Sequence, residues 1–507
     1  MFLLWSLVAV GSPLPTCGTP DRIADFAGVE FPPPAPPVSD LVDQESHGPI
    51  ANARYSDRFA LKWGPSFPLS DADAERLLND FEFAYSTMVM DWGMEDPTGI
   101  GGTFFNVYIG DTGGYVPSVM GAAGYYTIDS FGYPMIVLNK EFVNDVSYIR
   151  SVIAHEFFHG VQGQSRAYTD WETASWYWEA TACWAQGEAV PESGTYAGFL
   201  VHYAAQPHVG LYHFSSGEFG GAPPDYHQYG AFIYPRFLSE RLDAFDAIID
   251  SWRDGDAVGD PVHFLREYLT EPVFDTSFVD HAARNLTWDY EDGELYRDWI
   301  MGTVDYWPDA DFRSTTLMPS SDPDWYSSRE GIRLSAASYT LVPIPGGWSD
   351  DDALTVRFEQ DGEATGGCAP HFAGRIIELD GADPTYIALS TEAEHDTVAI
   401  DNSKDHWLAV ANLATLDECP GSAAFKVSFV RLGEPPPTPD DTGGMGPDTG
   451  TAEPPAWDPN QPNVSARSKV LGEPVGCTCA SSTADNTSWL WTFVPLFALC
   501  RRSSRPS

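Results

Sequence analysis

Val152-Ile153-Ala154-His155-Glu156-Phe157-Phe158-His159-Gly160-Val161 is the stretch on which the reading of this chain turns. Two histidines four positions apart on a helix project from one face, one turn from each other, so both imidazoles reach a single ion. Glu156 is rotated from His155 by about 100° and is placed to hold a water bound to that ion. Zinc brings the pKa of such a water to about 7, and a neighbouring carboxylate takes its proton as it attacks a carbonyl. The uncharged neighbours Phe157, Phe158, Gly160 and Val161 suit a buried helix, predicted from about Ser147 to Gln162.

A second helix, predicted from about Asp170 to Gly187, carries Trp176-Tyr177-Trp178-Glu179-Ala180-Thr181-Ala182. A carboxylate in such apolar company is costly unless a cation compensates it. Glu179 lies 20 positions beyond His159 and is the expected third ligand; Glu172, 13 positions beyond, is the alternative. Other ligand schemes fit less well. Ser165 stands where a third histidine six positions after His159 would be needed, and Asp225-Tyr226-His227-Gln228-Tyr229-Gly230 has one residue too many for Asp-x-x-Tyr-Gly. The only cysteine before the motif is Cys17.

With His155, Glu156, His159 and Glu179 in this order, residues 51–300 resemble the gluzincin zinc metallopeptidases. The resemblance implies a zincin-like catalytic domain, Zn2+ as cofactor and protein or peptide substrates. It also implies an antiparallel edge strand, here Tyr125–Asp129, that borders the cleft and pairs with extended substrate. An oxyanion donor from the later part of the domain is implied too, with Tyr229 and His227 as candidates and Tyr226 third.

Working outward, Phe59–Trp63, Phe104–Ile109, Tyr125–Asp129 and Met135–Asn139 read as short strands between turns. Ser70-Asp71-Ala72-Asp73 is a capping signal for a helix with Leu77, Phe81, Ala84 and Met88 on one face. Further helices are predicted at Tyr229–Asp250 and Val262–Leu269. Beyond residue 311 the pattern changes to period two, as in Leu354-Thr355-Val356-Arg357-Phe358 and Phe425-Lys426-Val427-Ser428-Phe429, a β-sandwich signature. The expected class is α+β: a zincin-like domain over 51–310 and an all-β sandwich over 311–433. Cys368 and Cys419 lie in one β-rich stretch and are expected to pair, whereas Cys183, among aromatics, reads as a buried thiol. Asp254-Gly255-Asp256 and Asp309-Ala310-Asp311 read as turns, since neither has a calcium-loop spacing.

The ends of the chain speak of export. The apolar run Phe2–Val10, with small residues at Ala9 and Gly11, resembles a signal peptide cleaved near Gly11, and residues 1–18 are assigned to it. Residues 19–50 form a proline-rich lead-in, and 434–476 are a Pro/Gly/Asp/Thr spacer whose composition cannot bury a core. Residues 477–507 combine Gly476-Cys477, the apolar run Trp489–Cys500 and Arg501-Arg502, and resemble the MYXO-CTERM sorting signal of certain Gram-negative bacteria. That resemblance implies recognition by export and sorting machinery and attachment at the outer cell surface. Twelve apolar residues make a helix of about 18 Å, too short for a bilayer core of about 30 Å, so no stable transmembrane helix is expected. A formal charge of −46 argues against nucleic-acid partners. Two other functions remain open on the sequence: a catalytically inactive surface protein binding glycans or proteins, and a zinc hydrolase of a non-peptide carbonyl.

Overall fold

In the computed structural model, Cys17, Thr19 and, with short interruptions, residues 41–303 and 315–431 are described. The leader, most of the lead-in, the spacer and the sorting tail with Cys477, Cys479 and Cys500 lie outside the described residues.

Strands β1 (Asn52–Tyr55), β2 (Phe59–Trp63), β3 (Phe105–Gly110), β4 (Gly124–Ile128) and β5 (Pro134–Asn139) form one sheet in the order β1-β2-β3-β5-β4. β2, β3 and β5 are parallel, and β4 turns back antiparallel to β5 to become an edge. The three parallel strands are buried on both faces, which is why FALKW, FNVYIG and PMIVLN read as near-continuous rather than alternating runs. Helix α1 (Asp71–Tyr85) begins as the capping signal predicts, with the Asp73 amide donating to the Ser70 hydroxyl at 3.1 Å. It buries Leu77, Phe81 and Ala84, and Met88 continues the same face past its end.

The two helices that matter most follow. α2 (Val146–Ser165) starts at Asp145, whose side chain caps Tyr148, and ends where Arg166 takes a left-handed φ of 60°. α3 (Trp171–Ala189) is capped by Asp170. From Ser151 to Gln164 and from Ala174 to Gly187 nearly every side chain is buried, because both helices are sandwiched between the sheet and later helices. Phe157 of α2 meets Phe59 at 5.7 Å and Phe105 at 6.2 Å between ring centroids, fixing the helix to the sheet.

After the short α4 (Leu200–Ala204), the helix expected over Tyr229–Asp250 is instead three: α5 (His227–Gly230), α6 (Ile233–Arg241) and α7 (Phe245–Asp254). The second break sits at Asp243, which adopts a φ of 52° that an ordinary helical residue does not. α8 (Pro261–Leu269), α9 (Glu271–Arg284) and α10 (Gly293–Thr303) complete the helical part.

The β-rich half contains β6 (Leu317–Pro319), β7 (Trp325–Ser328), β8 (Leu334–Ser335), β9 (Ser338–Pro343), β10 (Ala353–Gln360), β11 (Phe372–Asp380), β12 (Asp383–Ala388), β13 (Asp396–Ala399), β14 (Asp405–Asn412), β15 (Ser422–Ala423) and β16 (Phe425–Arg431). One sheet runs β13-β10-β16-β7-β6 and the other β12-β11-β14-β9, with β15 pairing β8 apart from them. Leu354, Val356, Phe425 and Val427 of the first sheet share a core with Val342, Ile376, Leu408 and Val410 of the second. The second sheet is not solvated on its other face. Tyr339, Leu341, Ala373, Ile377, Ala409 and Ala411 join the core of the helical part, and α9 lies against them, with Asn285 Nδ2 donating to the Tyr339 hydroxyl at 2.9 Å. Cys368 and Cys419 are disulfide-bonded. The described residues thus form one compact unit of mixed α and β structure. Among the described residues no helix is long and apolar enough to cross a membrane.

Candidate metal centre

α2 and α3 bring three of the expected ligands to one point. His155 Nε2 and His159 Nε2 are 3.2 Å apart, Glu179 Oε2 lies 3.3 Å from the first, and Glu179 Oε1 lies 3.5 Å from the second. A fourth donor, which the sequence did not lead us to expect, joins them: Cys17 Sγ stands 3.4 Å from His159 Nε2. Donor atoms of these four residues all lie within 4.8 Å of one another. Both Glu179 oxygens are buried without a hydrogen-bond donor, and a carboxylate left so would cost several kcal/mol. Two imidazoles, a carboxylate and a thiol around an otherwise uncompensated buried charge fit a metal ion. Glu172 takes no part; it is exposed in the first turn of α3.

The outer nitrogens of both histidines are held. His159 Nδ1 lies 2.6 Å from Gln162 Oε1, which can only accept, so the proton sits on Nδ1 and Nε2 keeps its lone pair for an ion. Gln162 is itself fixed, donating from Nε2 to the Trp178 carbonyl and the Thr181 hydroxyl, both at 2.9 Å. His155 Nδ1 faces the Cys183 sulfur at 3.8 Å. Cys183 is a buried free thiol behind the centre, as its aromatic setting suggested. Burial works against the charge on Glu179, and without an ion only protons on His159 and His155 offset it, holding that carboxyl down at about 2; a bound ion would take their place.

Glu156 is buried beside the ligands. Burial pushes its pKa up, against the pull of His155 and His159. Room for it comes from Gly124 on β4, where a Cβ would stand 3.1 Å from Glu156 Cγ. A second glycine makes the strand–helix approach possible: at Gly163 of α2 a Cβ would meet the Tyr126 hydroxyl at 2.5 Å.

Of the candidate oxyanion donors, Tyr229 is at the site. It lines the cleft with His155, Glu156, Tyr148 and Phe199, stacks on Phe199 at 4.8 Å, and donates from its hydroxyl to the Cys17 carbonyl at 3.2 Å. His227 is not at the site. Two positions earlier on α5 its side chain points elsewhere, packing on Tyr203 at 4.8 Å and His213 at 5.5 Å. Tyr226 rests against His202 at 5.4 Å.

The edge strand expected beside the cleft is β4. Cys17 forms a parallel bridge with Gly124, and the Tyr126 amide donates to the Thr19 hydroxyl at 2.8 Å. Thr19 in turn donates to Glu156 Oε2 at 3.1 Å, and the Cys17 thiol to the same oxygen at 3.4 Å. Cys17, Gln162, Cys183 and Gly124 all escaped the sequence reading as parts of the site. The one signal was that Cys17 is the only cysteine ahead of the motif.

No curated protein matches the chain. Among solved structures, BtGH115A, described as a novel family GH115 4-O-methyl-α-glucuronidase with specificity for decorated arabinogalactans, is similar at 11% identity with a TM-score of 0.14. The match covers 57% of this chain and 39% of that one, so this chain spans well under half of its length, and so low a TM-score carries no argument. A family model described as "Family of unknown function (DUF6055)" matches residues 36–341, which include His155, Glu156, His159, Glu179 and Tyr229. That is more than half of the 507 residues, and the chain belongs to this DUF6055 family.

Proposed function

We propose that this chain is an exported zinc-dependent metalloendopeptidase with a zincin-like catalytic part. The observation that carries the reading is the convergence of His155, His159 and Glu179 from two buried helices, with the non-ligand carboxylate of Glu156 beside them at the foot of an edge strand. A site that only stored a metal would have no use for that carboxylate. Zinc held there would supply a water of lowered pKa and an electrophile for the carbonyl. Glu156, its proton affinity raised by burial, takes the proton from the attacking water and passes it to the leaving amine. Tyr229, whose hydroxyl already donates to a carbonyl oxygen in the cleft, steadies the negative charge that develops on the substrate carbonyl. The outer edge of β4, where Cys17 and Thr19 now lie, binds an extended peptide through main-chain hydrogen bonds once they have left it.

The test is metal analysis of the purified exported protein together with digestion of casein or a peptide library, with and without chelator. Zinc and chelator-sensitive cleavage are expected, in the Cys17→Ala form if not in the parent. A chain that takes up no zinc, or one that is zinc-loaded yet spares peptides in both forms, overturns the reading. Hydrolysis confined to small esters or amides would favour the non-peptide carbonyl. The same proposal places the protein at the outer cell surface through its C-terminal signal. Cys477→Ala should still be exported but lost from the surface fraction, and unchanged retention would refute the attachment.

A further inference from the structure

We propose that Cys17 is a removable fourth metal ligand and that the chain at Cys17 and Thr19 keeps the centre latent by lying in the substrate cleft; this rests on the metallopeptidase reading above. Six contacts made by two residues carry it. Cys17 Sγ stands among the ligands, 3.4 Å from His159 Nε2, in the position an attacking water would need. The Cys17 carbonyl accepts from Tyr229 at 3.2 Å, as a substrate carbonyl would. Its backbone bridges Gly124 on the β4 edge, and Thr19 extends the contact to the Tyr126 amide at 2.8 Å. Finally, Glu156 Oε2 accepts from the Thr19 hydroxyl at 3.1 Å, and Cys17 Sγ lies 3.4 Å from the same oxygen. The ligand position, the oxyanion donor, the strand edge and the general base are therefore all engaged by one stretch of the chain itself.

As a ligand the sulfur binds as thiolate, its proton released to solvent, so the centre becomes four-coordinate and closed in the manner of a structural site. Opening it requires only that this stretch leave, after which water fills the fourth position. The leader must then end near Gly11 rather than at residue 18, so that Cys17 travels with the exported chain. A ligand tethered in this way acts at an effective concentration of about millimolar, enough to exclude ordinary peptide substrates.

The experiment uses the full exported chain loaded with Co2+ or Zn2+, as parent, Cys17→Ala and Cys183→Ala. The parent and Cys183→Ala should show a near-ultraviolet sulfur-to-cobalt absorption that Cys17→Ala lacks, while all three keep the visible cobalt bands of the His155, His159 and Glu179 set. Iodoacetamide should label Cys17 in the parent only after chelation, as read by peptide mass. Casein hydrolysis by the zinc form should rise about tenfold or more in Cys17→Ala. A parent without the sulfur band, or a metal-loaded parent whose Cys17 is labelled freely, overturns latency while leaving the peptidase reading intact. Chains that bind neither metal sink that reading and this one together. Should Cys17→Ala fold poorly, the band and the labelling of the parent decide alone.

Discussion

Glu156 and Glu179 are both buried carboxylates on neighbouring helices, yet substitution should separate them. Glu156→Gln keeps size and most hydrogen bonding, so metal stays bound while hydrolysis falls by about 10²–10⁴, the usual range for losing a general base. Glu179→Gln should release the metal on mild chelation, whereas the exposed Glu172→Gln should change neither quantity; metal analysis and casein assay of the three variants, each carrying Cys17→Ala so that the cleft is open, check this. Tyr229→Phe should keep the metal and lower kcat by about 10²–10³, with little change in KM, as expected for an oxyanion donor. An unchanged kcat would return Tyr229 to the role of packing residue. These residues were legible in the sequence to different degrees, for a physical reason. The helix period alone aligns His155 with His159, and an apolar setting marks Glu179. Tyr229 and His227 could not be told apart, because which one faces the cleft depends on the rotation of α5, a helix of four residues. The place of Cys17 was illegible, since the pairing that brings it to Glu156 spans 139 positions of chain.

At the scale of elements, the chain just ahead of β1 is strapped across the sheet by charge. Lys62 of β2, nearly inaccessible to solvent, binds Asp43 at 2.7 Å, Glu45 at 3.0 Å and the Gln44 carbonyl at 2.8 Å, and the Tyr108 hydroxyl donates to Glu45 at 3.0 Å. Burial would raise Glu45, but hydrogen bonds from His47 and the Lys62 charge outweigh it and bring its pKa down to about 2. A carboxyl held lower in the folded than in the unfolded chain adds stability that is complete above about pH 4.5 and is lost as pH falls toward about 2. Hydrogen exchange or limited proteolysis across that interval should show residues 41–47 loosening on acidification, and Glu45→Gln should remove the pH dependence. A strap as well protected below about pH 2 as at pH 5 in the parent would contradict this. The strands and the two site helices matched their predicted spans within a few residues, because hydrophobic period and capping residues act locally. The break of the predicted Tyr229–Asp250 helix into three did not show, since amphipathic spacing runs on through a turn at Asp243 that tertiary packing imposes.

For the molecule as a whole, the disulfide should contribute about 2–4 kcal/mol by restraining the unfolded chain between Cys368 and Cys419. Reduction, or Cys368→Ala with Cys419→Ala, should lower the melting temperature without altering metal content. The alternation of the C-terminal strands announced a sandwich but not its second burial: β14, Asp405–Asn412, reads DHWLAVAN, apolar from Trp407 to Ala411, because it faces a core on either side. That double-faced sheet has a consequence for how the chain can be divided. The C-terminal half is a floor on which the helical half stands, not a passenger that evolution or an engineer could exchange for another. A chain ended at residue 310 should therefore come out as inclusion bodies, while one ended near 433 should be soluble and melt in a single step. A soluble, sharply melting 41–310 fragment would show the reverse. If the halves do share one fate, an inherited change deep in the β-rich half would silence the centre as surely as one beside it, by lowering how much folded protein survives.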